Sequence, residues 1–310
     1  MNWNTHLLMF LFCATSSLSV NDVAAQEKQT QSSILVSPDW LADEMKSNKD
    51  LVIIDLPFRK TNYKVEHIPG AIMLDWRVDI IDSKRVDLYR LPQKEDLEKL
   101  MSKIGVKNDS IIVLTDDMAN RASVRMYYTL KYFGHDNVKI LNGGTAVWKA
   151  SGRKMTTDQP EITSSKYKVS ETKEGFFVQM EAVEKAIDND WQLIDGRPNE
   201  QYTGAKPGKA FHTNKAHKRL GHIPTAKNIP WKANLNKDGT FKSIEELRKL
   251  YESSGIDTEG DVVTYCNEGL HAAMPWFIFR ELFGNQDIRL YDDSMAEWAN
   301  RDDTPMKKTK

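Results

Sequence analysis

The chain has 310 residues, with 43 Lys and Arg against 44 Asp and Glu for a net charge of −1, and 40% of its residues are apolar. That near-neutral balance argues against a nucleic-acid or membrane-surface partner, and the ordinary apolar and charged fractions place the chain among globular proteins. Its length exceeds the roughly 100–200 residues of a usual domain, so two domains are expected.

The first predicted element is a secretion signal over residues 1–25. An apolar run from Leu7 to Ala14 is followed by a more polar stretch, and Val23-Ala24-Ala25 before Gln26 fits the small-residue cleavage rule. Only His6 precedes the run as a basic group, and the run falls short of the roughly 20 apolar residues of a spanning helix. Cys13 lacks the preceding small residue of a lipoprotein acylation site. The expected mature protein is soluble, exported or periplasmic, with no membrane contact after cleavage. Losing Asp22 leaves it neutral, and losing Cys13 leaves Cys266 as its one thiol, which cannot form an internal disulfide.

Downstream, the chain contains itself twice. A shift of 150 positions superposes Leu97, Leu100, Val113, Ala122, Phe133, Gly134, Ala146 and Trp148 on identical residues at Leu247, Leu250, Val263, Ala272, Phe283, Gly284, Ala296 and Trp298. Nearer the start of each copy the offset drifts, yet Ile53-Ile54-Asp55 answers Leu193-Ile194-Asp195, and His67-Ile-Pro-Gly-Ala71 answers His222-Ile-Pro-Thr-Ala226. Each copy alternates strand-like and helix-like stretches, which predicts an α/β fold with a mostly parallel sheet covered by helices on both faces. The boundaries read as 34–152 for the first domain, 153–175 for a polar linker and 176–306 for the second domain. In the first copy Asp116 stands opposite Cys266, so an active and an inactive half are expected.

In the second copy, strands are predicted at Trp191 to Asp195, Val262 to Cys266 and Ile288 to Tyr291. Between the first two, Gln201 to Gly221 carries Lys206, Lys209, Lys215, Lys218 and Arg219 with no acid. It reads as a solvated insertion or as an electropositive rim that steers anions. His212, His217 and His222 lie five apart, a spacing that does not share a helix face, so no metal site is expected. A helix is predicted from Ser243 to Ser254, with Ser243 as cap and Ile244, Leu247, Leu250 and Tyr251 on one face.

Cys266 closes an apolar strand and opens the loop Asn267-Glu268-Gly269-Leu270-His271 before a predicted helix from Ala272 to Leu282. Pro275 is tolerated in the first turn, where its missing N–H has no intrahelical partner. The N–H groups of that turn favour an anion and a lowered thiol pKa. Glu268 opposes this if it points inward, repelling an anionic donor and raising the thiol. His271 is either a local acid or base or a solvent-facing loop residue. Trp148 and Trp298 read as core anchors, and Asp292, Asp293 and Ser294 as a turn beside the cleft.

Taken together, a duplicated domain, His-Ile-Pro-Gly-Ala in the first copy, Tyr265-Cys-x-x-Gly269 ahead of a helix in the second and the closing Tyr291-Asp-Asp-Ser-Met-Ala-Glu-Trp298 resemble the tandem rhodanese family of thiosulfate and 3-mercaptopyruvate sulfurtransferases. The resemblance implies two rhodanese-like domains, with the second catalytic. It implies that Cys266 takes a sulfane sulfur as a persulfide from a small anionic donor and passes it to a thiol, cyanide or protein acceptor, with no cofactor or metal. Arg197 matches an arginine that binds the substrate anion in relatives; its alternative is an ion pair with Asp195 or Glu200. The loop residues Asn267, Glu268, Gly269, Leu270, His271 and Ala272 are implied to surround the donor, and His67 is a further candidate that reaches the cleft in mercaptopyruvate relatives. A noncatalytic persulfide carrier or docking module is the alternative from another class. A cysteine phosphatase or arsenate reductase is disfavoured because Ala272 stands where phosphatases place an arginine six positions after the cysteine.

Overall fold

The computed structural model describes residues 29–309 except 30, 32, 83, 85–87 and 190. The predicted secretion signal and Cys13 lie outside the described residues. In the first domain the strands are β1 (Leu35–Val36), β2 (Leu51–Asp55), β3 (Ile72–Met73), β4 (Ile111–Thr115) and β5 (Val138–Leu141); in the second they are β6 (Phe177–Val178), β7 (Gln192–Asp195), β8 (Lys227–Asn228), β9 (Val262–Tyr265) and β10 (Ile288–Tyr291). The two five-stranded sheets have orders β1-β5-β4-β2-β3 and β6-β10-β9-β7-β8, the same order twice. All the strand pairings are parallel.

Near-continuous apolar strands such as Leu51-Val-Ile-Ile-Asp55 and Val262-Val-Thr-Tyr265 suit a parallel sheet buried on both faces. Alternate residues go to opposite sides. Ile54, Ile112, Leu114 and Ile140 enter one core, while Ile53, Val113 and Leu141 enter a second with Trp148. In the other domain Leu193, Val263 and Tyr291 pack with Trp298, whereas Ile194, Val262, Ile288 and Leu290 join the first core. That first core is therefore shared between the domains, and burying it docks them together.

The docking elements are the helix Arg121–Tyr132 and the segment Ala273–Leu282, whose first half is α-helical (Ala273–Phe277) and whose second half is a π-helix (Ile278–Leu282). Tyr127 meets its repeat counterpart Phe277 edge to face at 5.0 Å, and Tyr128 meets Trp276 at 4.7 Å. Two ion pairs flank this contact. Arg125, fully buried, donates to Asp292 at 2.5 and 3.0 Å, and Arg90 forks onto Asp293. The aspartates of the predicted cleft turn thus serve as interdomain latches.

The helix Ile244–Ser253 forms as its periodicity predicts, and Ser243 and Glu246 complete a reciprocal cap, an arrangement worth about 1 kcal/mol. The segment between the domains is clamped rather than loose: Tyr167 and Val169 are buried in the shared core, and the Ser165 N–H donates to the Ser102 carbonyl at 2.8 Å. Among the described residues no helix is long and apolar enough to cross a membrane.

Candidate active site

Cys266 follows β9 directly. The polypeptide then curls through Gly269, at φ 87°, and returns as a helix at Ala273. A β-carbon on Gly269 would stand 2.3 Å from an Asp292 oxygen, so the turn tolerates only glycine. The curl aims N–H groups at the sulfur: Gly269 donates to Sγ at 3.1 Å, and the N–H groups of Glu268, Ala272 and His271 also draw the thiol pKa down. The base of the loop is pinned by Ser294, whose hydroxyl accepts the Cys266 N–H at 3.1 Å and donates to the Tyr291 carbonyl at 2.8 Å. Ser294 sits at φ 51°, where the first domain has Gly144 at φ 63°.

The first domain builds the same cradle and fills it with a carboxylate. Asp116 accepts from the N–H groups of Met118 at 2.8 Å, Asn120 at 2.9 Å and Ser123 at 2.8 Å. A carboxyl group in one half thus occupies the place where the other half holds a thiol, its pKa raised by burial against the pull of those N–H groups.

Burial reverses the expected thiol pKa. Cys266 is 1% exposed, and desolvation, helped by the charge of Glu268, outweighs the loop N–H groups and raises its pKa above the ordinary value. Glu268 points inward and is itself buried. Its oxygens accept from the His212 N–H at 3.1 Å and from Nδ1 of His212 at 2.5 Å. An acid beside the thiol is therefore matched by an imidazole that sequence spacing had placed on an insertion.

That insertion is a roof. Residues 208–217 form a short hairpin, with Ala210 donating to the Lys215 carbonyl at 2.9 Å and His217 to the Gly208 carbonyl at 2.9 Å. Its lysines at 206, 209, 215 and 218 face outward, but His212 lies on Glu268, and Nε2 of His217 donates to the Asn267 side chain at 3.1 Å. Burial lowers the pKa of His217 to about 4, so it is neutral. The reading of this stretch as a solvated insertion is corrected: local composition reported its outer face only. His212, His217 and His222 take three separate partners, the last being the Tyr202 carbonyl at 2.7 Å. Among the described residues no group of three His, Cys, Asp or Glu side chains could hold a metal ion.

Arg197, 1% exposed, makes the ion pair with Asp195 that was one of the two descriptions offered for it. Its Nε and Nη2 bind Asp195 at 2.6–3.0 Å, and Nη2 also donates to the Gly221 carbonyl at 2.8 Å. Its Nη1 edge lies along the roof, where a β-carbon on Gly208 would stand 3.2 Å from Nη1 and 2.6 Å from the Asn267 oxygen. Asp195 first, and then a negative charge on Cys266 when it ionises, favour the Arg197 cation, which puts guanidinium and sulfur in one electrostatic neighbourhood.

His271 is buried, and burial together with Arg121 and Lys232 drives its pKa to about 3. It is a neutral acceptor: Nε2 lies 3.2 Å from Nη1 of Arg121. The solvent-facing alternative is corrected, because the ring is buried, and as a neutral imidazole it does not act as a local acid. Leu270 and Ala272 are buried in the shared core and support the loop. His67 does not reach this loop. It stacks on Tyr63 at 3.7 Å with its ring nitrogens on the carbonyls of Tyr63 and Asp158, just as His222 stacks on Tyr202 at 3.7 Å.

Several wall residues escaped sequence reading because they come from distant parts of the chain. Phe211 of the roof stacks on Trp76 of the first domain at 5.5 Å, and Arg121 lies 4.6 Å from the Trp231 ring. The signal for Arg121 was present in the repeat offset, which aligns it with His271.

A family model described as "Rhodanese-like domain" matches residues 37–151 and 179–301. A provisionally named thiosulfate sulfurtransferase of Saccharopolyspora erythraea is 35% identical over 274 residues, covering 88% of this chain and 96% of that protein. The sulfur carrier protein TtuD of Thermus thermophilus is 34% identical over 279 residues, covering 89% and 96%. In fold, the chain is similar to the wild-type structure of EanB, with a TM-score of 0.79 at 22% identity, covering 90% of this chain and 70% of that one.

Proposed function

The chain belongs to the rhodanese family of sulfurtransferases, as two tandem domains, and on that premise we propose that its second domain catalyses transfer of a sulfane sulfur through a persulfide on Cys266. The observation that carries this reading is the cradle of loop N–H groups around Sγ, with Gly269 at 3.1 Å, set against the carboxylate of Asp116 in the same cradle of the first domain. A ring of donors that stabilises a carboxylate in one copy suits a thiolate, and the persulfide anion derived from it, in the other.

With thiosulfate, the Cys266 thiolate attacks the sulfane sulfur, the sulfur–sulfur bond of the donor breaks, and sulfite leaves with the bonding pair. An acceptor thiolate or cyanide then attacks the terminal sulfur and Cys266 departs as thiolate. With 3-mercaptopyruvate, the thiolate attacks the donor's sulfur, the carbon–sulfur bond breaks, and the enolate of pyruvate leaves with the bonding pair and takes up the donor's thiol proton to become pyruvate. Arg197 and Arg121 supply the positive field for either anionic donor, and the neutral His271 accepts a hydrogen bond from Arg121 and carries no acidic proton to give. Since the thiol is roofed and its pKa raised in the resting state, donor entry requires the hairpin 208–217 to lift, and the thiolate forms as the donor arrives. The first domain completes the wall and the shared core without chemistry of its own. Residues 1–25 act as an export signal, so that protein recovered from the periplasm or medium begins at Gln26.

The test is the intact mass of the protein after thiosulfate and, separately, 3-mercaptopyruvate, with Cys266→Ser alongside. One added sulfur on the wild type alone, followed by its loss to cyanide with turnover, supports the enzyme. Persulfide formation without turnover on small acceptors favours the carrier reading, which the name of the Thermus relative suggests. No added sulfur from either donor on a protein whose thiol alkylates rules the proposal out.

A further inference from the structure

The first domain contains a cavity of about 310 Å3 that the proposed chemistry does not use, lined by Asp55, Asn62, Tyr63, Glu66, Asp117 and Lys149 among others. Its place in the fold is set by register. Asp55 pairs with Thr115 at the end of β2 as Asp195 pairs with Tyr265 at the end of β7, and the next N–H, of Leu56 or Gly196, donates to that same partner at 2.9 Å. Both oxygens of Asp195 are partnered by Arg197, which gives its backbone N–H to Oδ1 at 2.9 Å and its guanidinium to both oxygens, then reaches on to the Gly221 carbonyl. In the first domain Pro57 holds the position of Arg197. It has neither an N–H nor a guanidinium to offer.

The consequence is visible on Asp55. The residue is 3% exposed, and among the described residues Oδ1 has no hydrogen-bond partner. Buried carboxyl oxygens without partners are costly and uncommon. Glu66, which precedes His67 as Gly221 precedes His222, lines the same cavity. Three carboxylates face one ammonium, that of Lys149, which is 61% exposed and sits on Glu66. Burial, then the charges of Asp116 and Asp117, push the pKa of Asp55 well up, a penalty that a cation would relieve. Asp117 is already engaged with the Phe58 N–H and the Asn62 amide, both at 2.5 Å, so the unmet acceptor is that of Asp55.

We propose that this cavity is a binding site for a guanidinium group, which would fork onto Asp55 in the place that Arg197 occupies in the other domain. The planar fork matches a carboxylate in a way that a compact ammonium does not. The guanidinium belongs either to a small free molecule or to an arginine side chain of a peptide segment.

Saturation-transfer NMR on the full chain tests this with methylguanidinium, an acetylated arginine-containing tetrapeptide, methylammonium and urea as the neutral isostere. Methylguanidinium or the peptide should bind at least about tenfold more tightly than urea, and whichever of the two binds more tightly identifies the source. Asp55→Asn should weaken binding by a similar factor with sulfur transfer unchanged. Pro57→Arg, which returns the side chain the other copy has, should abolish binding and raise Tm. Binding of urea as strong as that of methylguanidinium, binding unchanged in a folded Asp55→Asn protein, or no binding of either guanidinium probe to the wild type would overturn the proposal. Should Asp55→Asn fail to fold, retained binding in Pro57→Arg would overturn it equally.

Discussion

Arg121 and His271 hold the same position in the two repeats, and their side chains meet across the domain boundary, Nη1 to Nε2 at 3.2 Å. A duplicated fold has thus brought a residue and its counterpart together and given them different work. Arg121 brings positive charge to the wall of the site, and His271 is held neutral beneath it, with Lys232 adding to the effect.

Replacing Arg121 with Met removes that charge and the donor to His271. The His271 pKa should then rise from about 3, seen as a shifted midpoint of its ring proton resonances. Sulfur transfer from an anionic donor should lose about tenfold in kcat/KM, mostly through KM, as expected when a ground-state anion contact is lost. An unchanged KM would place the donor away from this wall.

Glu268→Gln should lower the Cys266 pKa, because the carboxylate charge is one of the causes that raise it. Alkylation at neutral pH should quicken several-fold and its midpoint should move down. The KM for thiosulfate should fall as well.

Arg125 and Asp292 form a buried ion pair between the domains. Arg125→Met should cost about 3–5 kcal/mol in urea unfolding because it strands a carboxylate. The double substitution Arg125→Met with Asp292→Leu should recover at least half of that loss. A double mutant no better than the single would show that the pair serves geometry rather than charge balance.

Stability should fall on mild acidification. His271 and His217 have ordinary values of 6.5 lowered to about 3 and about 4 by burial, so the unfolded chain binds protons that the folded chain refuses. Their contribution is present above pH 6.5 and is lost as pH falls toward those folded values, at about 1.4 kcal/mol per pH unit for each histidine. Cys266, with a raised pKa, behaves in the opposite sense: its contribution is present below the ordinary thiol value and is lost at higher pH. Urea midpoints between pH 4 and 8 for wild type and His217→Gln test the first half; the variant should show a shallower acid decline.

The sequence by itself determined the duplication, the alternation of strands and helices, the capped helix after Ser243, the strand that ends just before Cys266 and the loop with its glycine. These depend on periodicity and on contacts within a few residues, which local composition records. Tertiary structure alone decided the direction of Glu268, the roofing of the thiol by His212 and His217, the pairing of Arg121 with His271 and the use of Asp292 and Asp293 as latches. Each of these joins segments tens to hundreds of residues apart, through an insertion without periodicity or across a docked interface. The thiol pKa shows the difference most plainly. The loop N–H groups were legible and do pull it down, but the burial that outweighs them is a property of everything packed around Cys266, which no stretch of sequence carries.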